Sequence, residues 1–231
     1  GGARAPGRAP GWRVVTPADP ERALGPAFRR VLALVAVLWV VWALDQILGL
    51  GLRHLGVLPR ELRGLVGVPL APLIHGSFSH IFANTPTLLV LGTALLWGYP
   101  RSAAAAAVLI VLGSGLGTWL FGRLALHFGA SGLTHGVMVF LFVAGILRRD
   151  PLAIVISLLT FFLYGSMIWG VFPREPGVSF EMHLFGALSG LVAAFVLHRV
   201  DPPPPRKRYS WEEEDDPGDG GWPPADGPGL R

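Results

Sequence analysis

The chain has 231 residues, of which 52% are hydrophobic and only 15% are charged, and its mean hydropathy is +0.52. Soluble globular domains carry about 25% charged residues, so this composition excludes an ordinary soluble domain. The formal charge of +4 comes almost wholly from arginine, which typically flanks membrane spans on the cytoplasmic side, so we expect no nucleic-acid partner. The absence of cysteine excludes disulfides, thiolate catalysis and cysteine-based metal sites.

Several uninterrupted apolar segments approach the ~20 residues that a helix needs to cross a bilayer. Short breaks that contain charges, proline or glycine separate them. The sequence therefore predicts an all-α membrane protein, a bundle of six transmembrane helices. The expected spans are about 28–50, 80–99, 103–121, 131–147, 151–172 and 182–197.

The segments outside the spans differ in character. Residues 51–79 contain apolar runs too short to cross a membrane, which predicts an interfacial loop with amphipathic pieces. Residues 1–27 are basic and rich in proline and glycine, and residues 200–231 hold four successive prolines and an acidic run. Both compositions are typical of disorder. We expect a bundle domain at 28–199 between a disordered basic cytoplasmic arm and a disordered cytoplasmic tail.

Arginine placement predicts the orientation of the spans. Arg101, Arg148 and Arg149 follow the second and fourth spans, and a basic group follows the sixth. The excess of arginine on this side favours cytoplasmic N- and C-termini, although arginines in the other loops weaken the bias. We expect a multi-pass protein located in a bacterial inner (plasma) membrane.

Three polar side chains fall at one membrane depth in this topology. His80, Ser131 and His183 each lie near the start of an even-numbered span, and all three spans begin on the outer side. A histidine within a membrane-length segment is costly and by default marks a functional site. A serine and a histidine at one depth suggest a nucleophile and its base.

The surrounding residues suit serine hydrolysis, which requires a nucleophile, a base, donors for the oxyanion and water. Gly129 and Gly132 flank Ser131 and leave room for a substrate backbone, and a helix N-terminus offers unpaired N–H groups. His80 and Asn84 lie four residues apart on one helix face and can donate hydrogen bonds to a developing oxyanion.

Glycine spacing predicts how the serine and histidine meet. Gly132 and Gly136 lie four apart in the fourth span, and Gly186 and Gly190 lie four apart in the sixth. Small residues at this spacing let helix backbones approach closely. Close packing of these two helices would bring Ser131 to the base.

Other interpretations of the same residues stay open at this point. The glycines around Ser131 are also typical of a packing motif, and buried histidines can be satisfied interhelical contacts. A metal or haem site could use the histidines, although no H-E-x-x-H motif is present. The four histidines concerned are His75, His80, His135 and His183.

The combined pattern resembles the rhomboid intramembrane serine proteases over about residues 28–199. The motifs are His75-Gly-Ser-Phe-Ser-His80-Ile-Phe-Ala-Asn84, Gly129-Ala-Ser131-Gly132 and His183-Leu-Phe-Gly186. The resemblance implies an endopeptidase that hydrolyses peptide bonds in or next to transmembrane segments of other proteins in the lipid bilayer, without a cofactor or metal.

The resemblance also implies roles for individual residues. Ser131 would be the nucleophile and His183 the base of a dyad without an acid. His80, Asn84 and the Ser131 backbone N–H would form the oxyanion hole, and His75 would support the site. A catalytically inactive scaffold that binds membrane helices is the alternative.

The chain departs from the family pattern at two positions. The family often has a Trp-Arg pair in its first loop, and the nearest equivalent here, Arg63-Gly64, lacks the tryptophan. The family often has a tyrosine four residues after the serine, where this chain has His135. We expect the His135 ring to pack against that of His183. By analogy, Phe162 or Trp169 on the fifth span would contribute to a lateral gate.

Overall fold

The computed structural model describes residues 22–174 and 177–203, so most of the expected arm and tail lies outside the described residues. The described residues form helices and turns without a strand, apart from one isolated bridge between Val57 and His127. Six of the described helices are long and apolar enough to cross a membrane, which confirms the predicted fold class. They are α1 (Leu24–Leu48), α2 (Phe78–Gly98), α3 (Ala103–Phe121), α4 (Ser131–Arg148), α5 (Pro151–Val171) and α6 (Phe180–Leu197).

Two helices change their winding along their length. In α2, Pro86 lies inside the helix and a π-helical stretch follows at Leu88–Gly92, because proline removes a backbone donor from the helical ladder. In α5, the α-helix ends at Tyr164 and continues as a 3-10 helix over Gly165–Val171. The tighter winding of this last stretch places its backbone carbonyls beside the site described below.

The long loop between α1 and α2 is built from short helical turns, consistent with the expected interfacial segment. Its turns are Leu52–Leu55, Leu62–Val66, Gly67–Leu70 and Ala71–Leu73. The loop ends at Ser77, whose hydroxyl accepts a hydrogen bond from the His80 backbone N–H at 3.2 Å and so caps α2. The cap fixes the first turn of α2, which carries His80.

The closest backbone contact of the bundle lies between α4 and α6. A Cβ added at Gly186 would overlap the carbonyl of Gly132, and one added at Gly190 would overlap the carbonyl of Gly136. Helices in lipid associate through packing and hydrogen bonds, without a hydrophobic driving force between them, so small residues set how closely they approach. The four glycines therefore hold α4 and α6 in direct contact, as their spacing predicts.

The bundle extends slightly beyond the expected limits of 28 and 199. The first helix begins at Leu24, and Asp201, beyond the sixth helix, is buried. The Asp201 carboxylate accepts hydrogen bonds from the backbone N–H groups of Arg101 and Ser102 at 2.8 and 3.0 Å, and from the Ser102 hydroxyl at 2.5 Å. It caps the start of α3, because the first N–H groups of a helix have no partner inside it.

The α4–α6 contact predicts a specific loss of stability. Gly190→Ala places a methyl group where the Gly136 carbonyl lies, and overpacking of this kind costs about 1–3 kcal/mol. We expect a lower unfolding temperature in detergent micelles. The matched control is Gly25→Ala, whose Cβ meets only the Arg29 guanidinium at 3.6 Å. Equal unfolding temperatures for the two variants would contradict this account of the contact.

Candidate active site

The side chains of Ser131 and His183 meet at one end of the bundle. Ser131 is the first residue of α4, and His183 lies in the first turn of α6. The Ser131 Oγ lies 2.8 Å from the His183 Nε2, although the two residues are 52 positions apart in the chain. The contact between α4 and α6 thus forms a hydrogen-bonded serine–histidine pair.

A backbone carbonyl sets the tautomer of His183. The His183 Nδ1 lies 2.9 Å from the carbonyl oxygen of Gly170, in the 3-10 end of α5. A carbonyl can only accept, so Nδ1 carries the proton and Nε2 of the neutral ring presents a lone pair. The Ser131 hydroxyl can therefore donate to Nε2, which is the arrangement that general-base chemistry requires.

The rings of His135 and His183 are stacked, as the sequence predicts. Their centroids are 4.0 Å apart and their planes differ by 8°. The two nitrogens of His135 lie 2.7 Å from the Ser131 carbonyl and 3.1 Å from the Met167 carbonyl. The His135 ring thus contacts the first turn of α4 and the 3-10 end of α5, and it packs against one face of the His183 ring.

His80 and Asn84 face the serine from α2. Gly129 has a φ of +117°, which favours glycine, and a Cβ there would lie 2.6 Å from the His80 Nε2 and 3.8 Å from the Ser131 Oγ. Glycine at 129 therefore leaves room for the His80 ring beside Ser131. One N–H of the Asn84 amide donates to the His80 carbonyl at 2.9 Å.

His75 lies behind His80, away from the serine. It is 2% exposed, and its ring contacts the His80 ring edge-on at a centroid distance of 4.9 Å. The His75 ring therefore packs against the His80 ring.

A cavity of about 620 Å³ opens over the Ser131–His183 pair. Phe162 and Trp169, expected at a gate, are 77% and 56% exposed, and neither lines this cavity. The lining residues are Gly76, Ser77, Ser79, His80, Ala83, Asn84, Thr87, Leu126, Phe128, Ser131, Thr134, His135, Met167, Gly177, Val178, Ser179 and His183.

A buried polar cluster that sequence reasoning missed joins the loop before Ser131 to the start of α6. Glu181 is 5% exposed, and its carboxylate accepts from the Arg123 backbone N–H at 3.2 Å and lies 3.6 Å from the Arg123 Nε. The other carboxylate oxygen lies 4.0 Å from the Nδ1 of His127, which contacts the Ser179 hydroxyl at 2.6 Å. Glu181 precedes His183 by two residues, so an acidic residue at the start of an apolar span was the available signal.

Trp119 of α3 anchors the first loop, which lacks the family's Trp-Arg pair. Its indole N–H donates to the Glu61 carbonyl at 2.8 Å, and its carbonyl accepts from the Arg60 N–H at 2.9 Å. The Arg60 guanidinium donates to the Gly122 carbonyl at 2.8 Å. A tryptophan from a neighbouring helix therefore makes the contact that the loop sequence does not provide.

The histidines of the site are arranged for hydrogen bonds. Among residues 22–174 and 177–203, no group of three or more histidine, cysteine or acidic side chains is placed to hold a metal ion. The ring nitrogens of His135 and His183 face carbonyl oxygens and the serine hydroxyl. The described geometry favours hydrogen bonding and proton transfer over metal ligation.

The stability of the site should depend on pH through His75. Burial, and then the neighbouring His80, lower the pKa of His75 from 6.5 to about 4. As the pH falls below 6.5, His75 becomes protonated in the unfolded state but stays neutral in the folded state. The free energy of unfolding therefore decreases by up to about 3 kcal/mol between pH 6.5 and 4. The loss is absent above pH 6.5.

The corresponding variant is His75→Leu, which cannot titrate. As the pH falls from 7 to 4.5, we expect the unfolding temperature of the wild type to decrease more than that of the variant. Burial also lowers the pKa of His127, so the variant should keep part of the slope. Parallel stability curves for the two proteins would refute the assignment to His75.

Comparison with known proteins identifies the family of the chain. The model of the Rhomboid domain matches residues 63–200. "Uncharacterized protein Rv1337" of Mycobacterium tuberculosis and "Uncharacterized protein Mb1372" of Mycobacterium bovis are each 42% identical over 177 residues, covering 72% of this chain and 73% of theirs. "Uncharacterized protein ML1171" of Mycobacterium leprae is 37% identical and is covered over 70% of its length. With its six apolar helices, the chain is an integral multi-pass membrane protein that belongs to the rhomboid family.

Proposed function

We propose that the chain is an intramembrane serine endopeptidase that hydrolyses peptide bonds in or next to transmembrane segments of other membrane proteins. The observation that carries the proposal is the 2.8 Å contact between the Ser131 Oγ and the His183 Nε2. The contact lies beneath a cavity that several polar side chains line, in a bundle that exposes many large apolar side chains. Membership of the rhomboid family supports the same reaction class.

The reaction would begin with proton transfer from the Ser131 hydroxyl to the His183 Nε2. The Ser131 Oγ attacks the scissile carbonyl carbon, and the carbonyl oxygen becomes an oxyanion. His183 then gives the proton to the departing amine, which leaves an acyl-enzyme on Ser131. A water molecule, deprotonated by His183, releases the acid and restores the serine.

The oxyanion would be bound by donors on two helices. The Ser131 backbone N–H is at the unpaired start of α4, and the His80 ring approaches over Gly129. Asn84 has a second amide N–H besides the one that donates to the His80 carbonyl. Removing one oxyanion donor typically costs about 2.7–4 kcal/mol of transition-state stabilisation, so each donor should matter without being indispensable.

A backbone carbonyl takes the place that an acidic side chain has in a serine triad. The Gly170 carbonyl holds the His183 Nδ1 proton, which is the orienting task of the aspartate in a serine triad. A Cβ at Gly170 would lie 2.8 Å from the His135 Nε2 and 3.2 Å from the His183 Nδ1. Glycine at this position therefore admits both rings, and we assign it to site support with His135, Gly129 and Gly132.

We also propose that both termini are cytoplasmic and that the cavity opens on the outer side of a bacterial inner membrane. Arg101, Arg148 and Arg149 at the end of the bundle opposite the cavity support this orientation through the bias of arginine towards the cytoplasm. The substrates would be transmembrane proteins, and the mechanism above needs no cofactor.

The first test separates a protease from a scaffold that only binds membrane helices. A fluorophosphonate should label the purified protein at Ser131, and Ser131→Ala should abolish labelling. His183→Ala should lower the labelling rate about 10²–10⁴-fold, the range that a general base contributes. The rates are measured by gel fluorescence in detergent, with the unfolding temperature of each variant as a check on folding.

The matched control is Ser79→Ala, which removes another serine hydroxyl that lines the same cavity. It should keep the wild-type labelling rate, and EDTA should have no effect on any variant. A wild-type protein that remains unlabelled while folded would support the scaffold instead, and loss of labelling with EDTA would refute the serine–histidine dyad.

The second test distinguishes the roles of the two stacked histidines. His135→Tyr and His135→Phe keep an aromatic ring against His183 and should retain activity within roughly tenfold, because the base is unchanged. His183→Phe keeps the stack but removes the base and should be inactive. Cleavage of a reconstituted transmembrane substrate is the measurement. Activity in His183→Phe with none in His135→Phe would transfer the base to His135.

A further inference from the structure

Ser179 departs from the usual pattern at the start of a helix. It immediately precedes α6, in the position where a serine hydroxyl normally accepts a hydrogen bond from the first backbone N–H groups of the helix. The Ser179 hydroxyl makes no such bond. It lies instead 2.6 Å from the Nδ1 of His127, in the loop before Ser131. A local preference given up in this way is expected where a side chain serves another purpose.

The backbone carbonyl of Arg123 sets the tautomer of His127. The carbonyl oxygen lies 3.0 Å from the His127 Nε2 and can only accept, so Nε2 carries the proton and Nδ1 presents a lone pair. Burial lowers the pKa of His127. The Arg123 carbonyl and the Glu181 carboxylate raise this pKa by less, and the Arg123 guanidinium lowers it further. The ring is therefore neutral at pH 7, and the Ser179 hydroxyl donates to Nδ1.

A hydroxyl that donates its only hydrogen to a histidine can only accept further hydrogen bonds. The Ser179 oxygen keeps its acceptor lone pairs, whereas its hydrogen is already bound to the His127 Nδ1. Ser179 also lines the cavity over Ser131, as His183 does. A ligand in this cavity therefore meets, at Ser179, an oxygen that accepts and does not donate.

Neighbouring hydrogen bonds fix the position of Ser179. The Arg123 guanidinium donates to the carbonyl of Val178 at 2.5 Å, and the Arg123 backbone N–H donates to the Glu181 carboxylate at 3.2 Å. The Ser179 carbonyl accepts from the backbone N–H of His183 at 3.2 Å. The acceptor is thus held in place relative to His183, so little ordering is needed when a ligand binds.

A peptide segment that leaves its helix needs such an acceptor. An unwound segment exposes backbone N–H groups that have lost their helical partners, and away from water each unpaired group is costly. The donors of the proposed oxyanion hole, among them His80 and Asn84, line the same cavity and suit carbonyl oxygens. Ser179 offers the complementary group, which suits an N–H.

On the basis of the endopeptidase function above, we propose that Ser179 is a substrate-binding residue whose hydroxyl oxygen accepts a hydrogen bond from a backbone N–H of the substrate. His127 orients this hydroxyl by taking its proton. The ligand is an extended peptide segment, and the contact uses the backbone of the substrate and not a side chain. Proline has no backbone N–H, so the substrate position that faces Ser179 disfavours proline.

Steady-state cleavage of a synthetic transmembrane peptide by the full-length protein in micelles tests this role. Ser179→Ala should raise KM roughly three- to tenfold with kcat little changed, because a neutral hydrogen bond made equally in the ground and transition states contributes to binding. Ser179→Thr keeps the hydroxyl and should restore the wild-type KM. The matched control is Ser79→Ala, which removes a serine hydroxyl of the same cavity that contacts Ser77 and not a histidine. The control should keep the wild-type KM.

A series of peptides in which one backbone amide at a time is replaced by an ester identifies the N–H concerned. One ester should raise the KM of the wild type roughly three- to tenfold. The same ester should have no further effect on Ser179→Ala, because its partner is already absent. Proline at that position should act as the ester does. If every ester affects the two proteins equally, no backbone N–H pairs with Ser179 and the proposal is overturned.

Labelling of Ser131 by a small fluorophosphonate separates substrate binding from support of the Ser131–His183 pair. The reagent has no peptide backbone, so its rate does not depend on a contact with Ser179. A labelling rate of Ser179→Ala that falls in proportion to kcat/KM would make Ser179 a structural support and refute the binding role. A wild type that neither reacts nor cleaves would refute the proposed function itself. An active wild type beside Ser179→Ala of unchanged KM would refute the Ser179 assignment alone.

Discussion

The direct contact between the backbones of α4 and α6 is the constraint on which the rest of the structure depends. Gly186 and Gly190 face the carbonyls of Gly132 and Gly136 at distances that leave no room for a side chain. Because lipid tails are as apolar as the helix surfaces, packing rather than the hydrophobic effect decides which helices touch. Ser131 and His183 lie in the first turns of these two helices, so the 2.8 Å separation of their side chains follows from the same contact.

The ring of His183 is oriented by a helix other than the one that carries it. His183 belongs to α6, but its Nδ1 bonds to the Gly170 carbonyl and its ring stacks on His135, which in turn faces the Met167 carbonyl. Both carbonyls lie in the 3-10 end of α5. A catalytic acid would have to be buried as a charge, which costs several kcal/mol in a low-dielectric interior, whereas a carbonyl orients the ring without that cost.

The sequence predicts the fold class and the contact of Ser131 with His183. Both depend on patterns that can be read along the chain, the length of the apolar segments and the spacing of the glycines. Hydrophobic length gave six spans, and α3 begins and ends at the residues expected. Glycines four apart predicted the helix pair that the structure contains. The stack of His135 on His183 followed from the position one turn beyond the serine.

Contacts made by backbone atoms and by distant side chains could not be predicted in this way. Gly170 contacts His183 through its backbone carbonyl, and because every residue has such a carbonyl, the residue type does not reveal the bond. The first loop seemed to lack an aromatic anchor because the tryptophan that holds it, Trp119, lies about 60 residues later in α3. Charged residues close to span ends, such as Glu181, resemble boundary residues until the loop that they contact is known.

The Glu181 cluster shows why the glycine contact alone does not define the site. Glycine pairs fix how closely α4 and α6 approach, but the loop before Ser131 could still vary in position. The Glu181 carboxylate accepts a hydrogen bond from the Arg123 backbone N–H. The backbones of His127 and of Val57 in the first loop form two hydrogen bonds with each other, at 2.8 and 2.9 Å. These hydrogen bonds thereby connect the first turn of α6, the loop before Ser131 and the interfacial loop on the side where the cavity opens. Hydrogen bonds at the membrane surface thus complete an alignment that helix packing begins within the lipid.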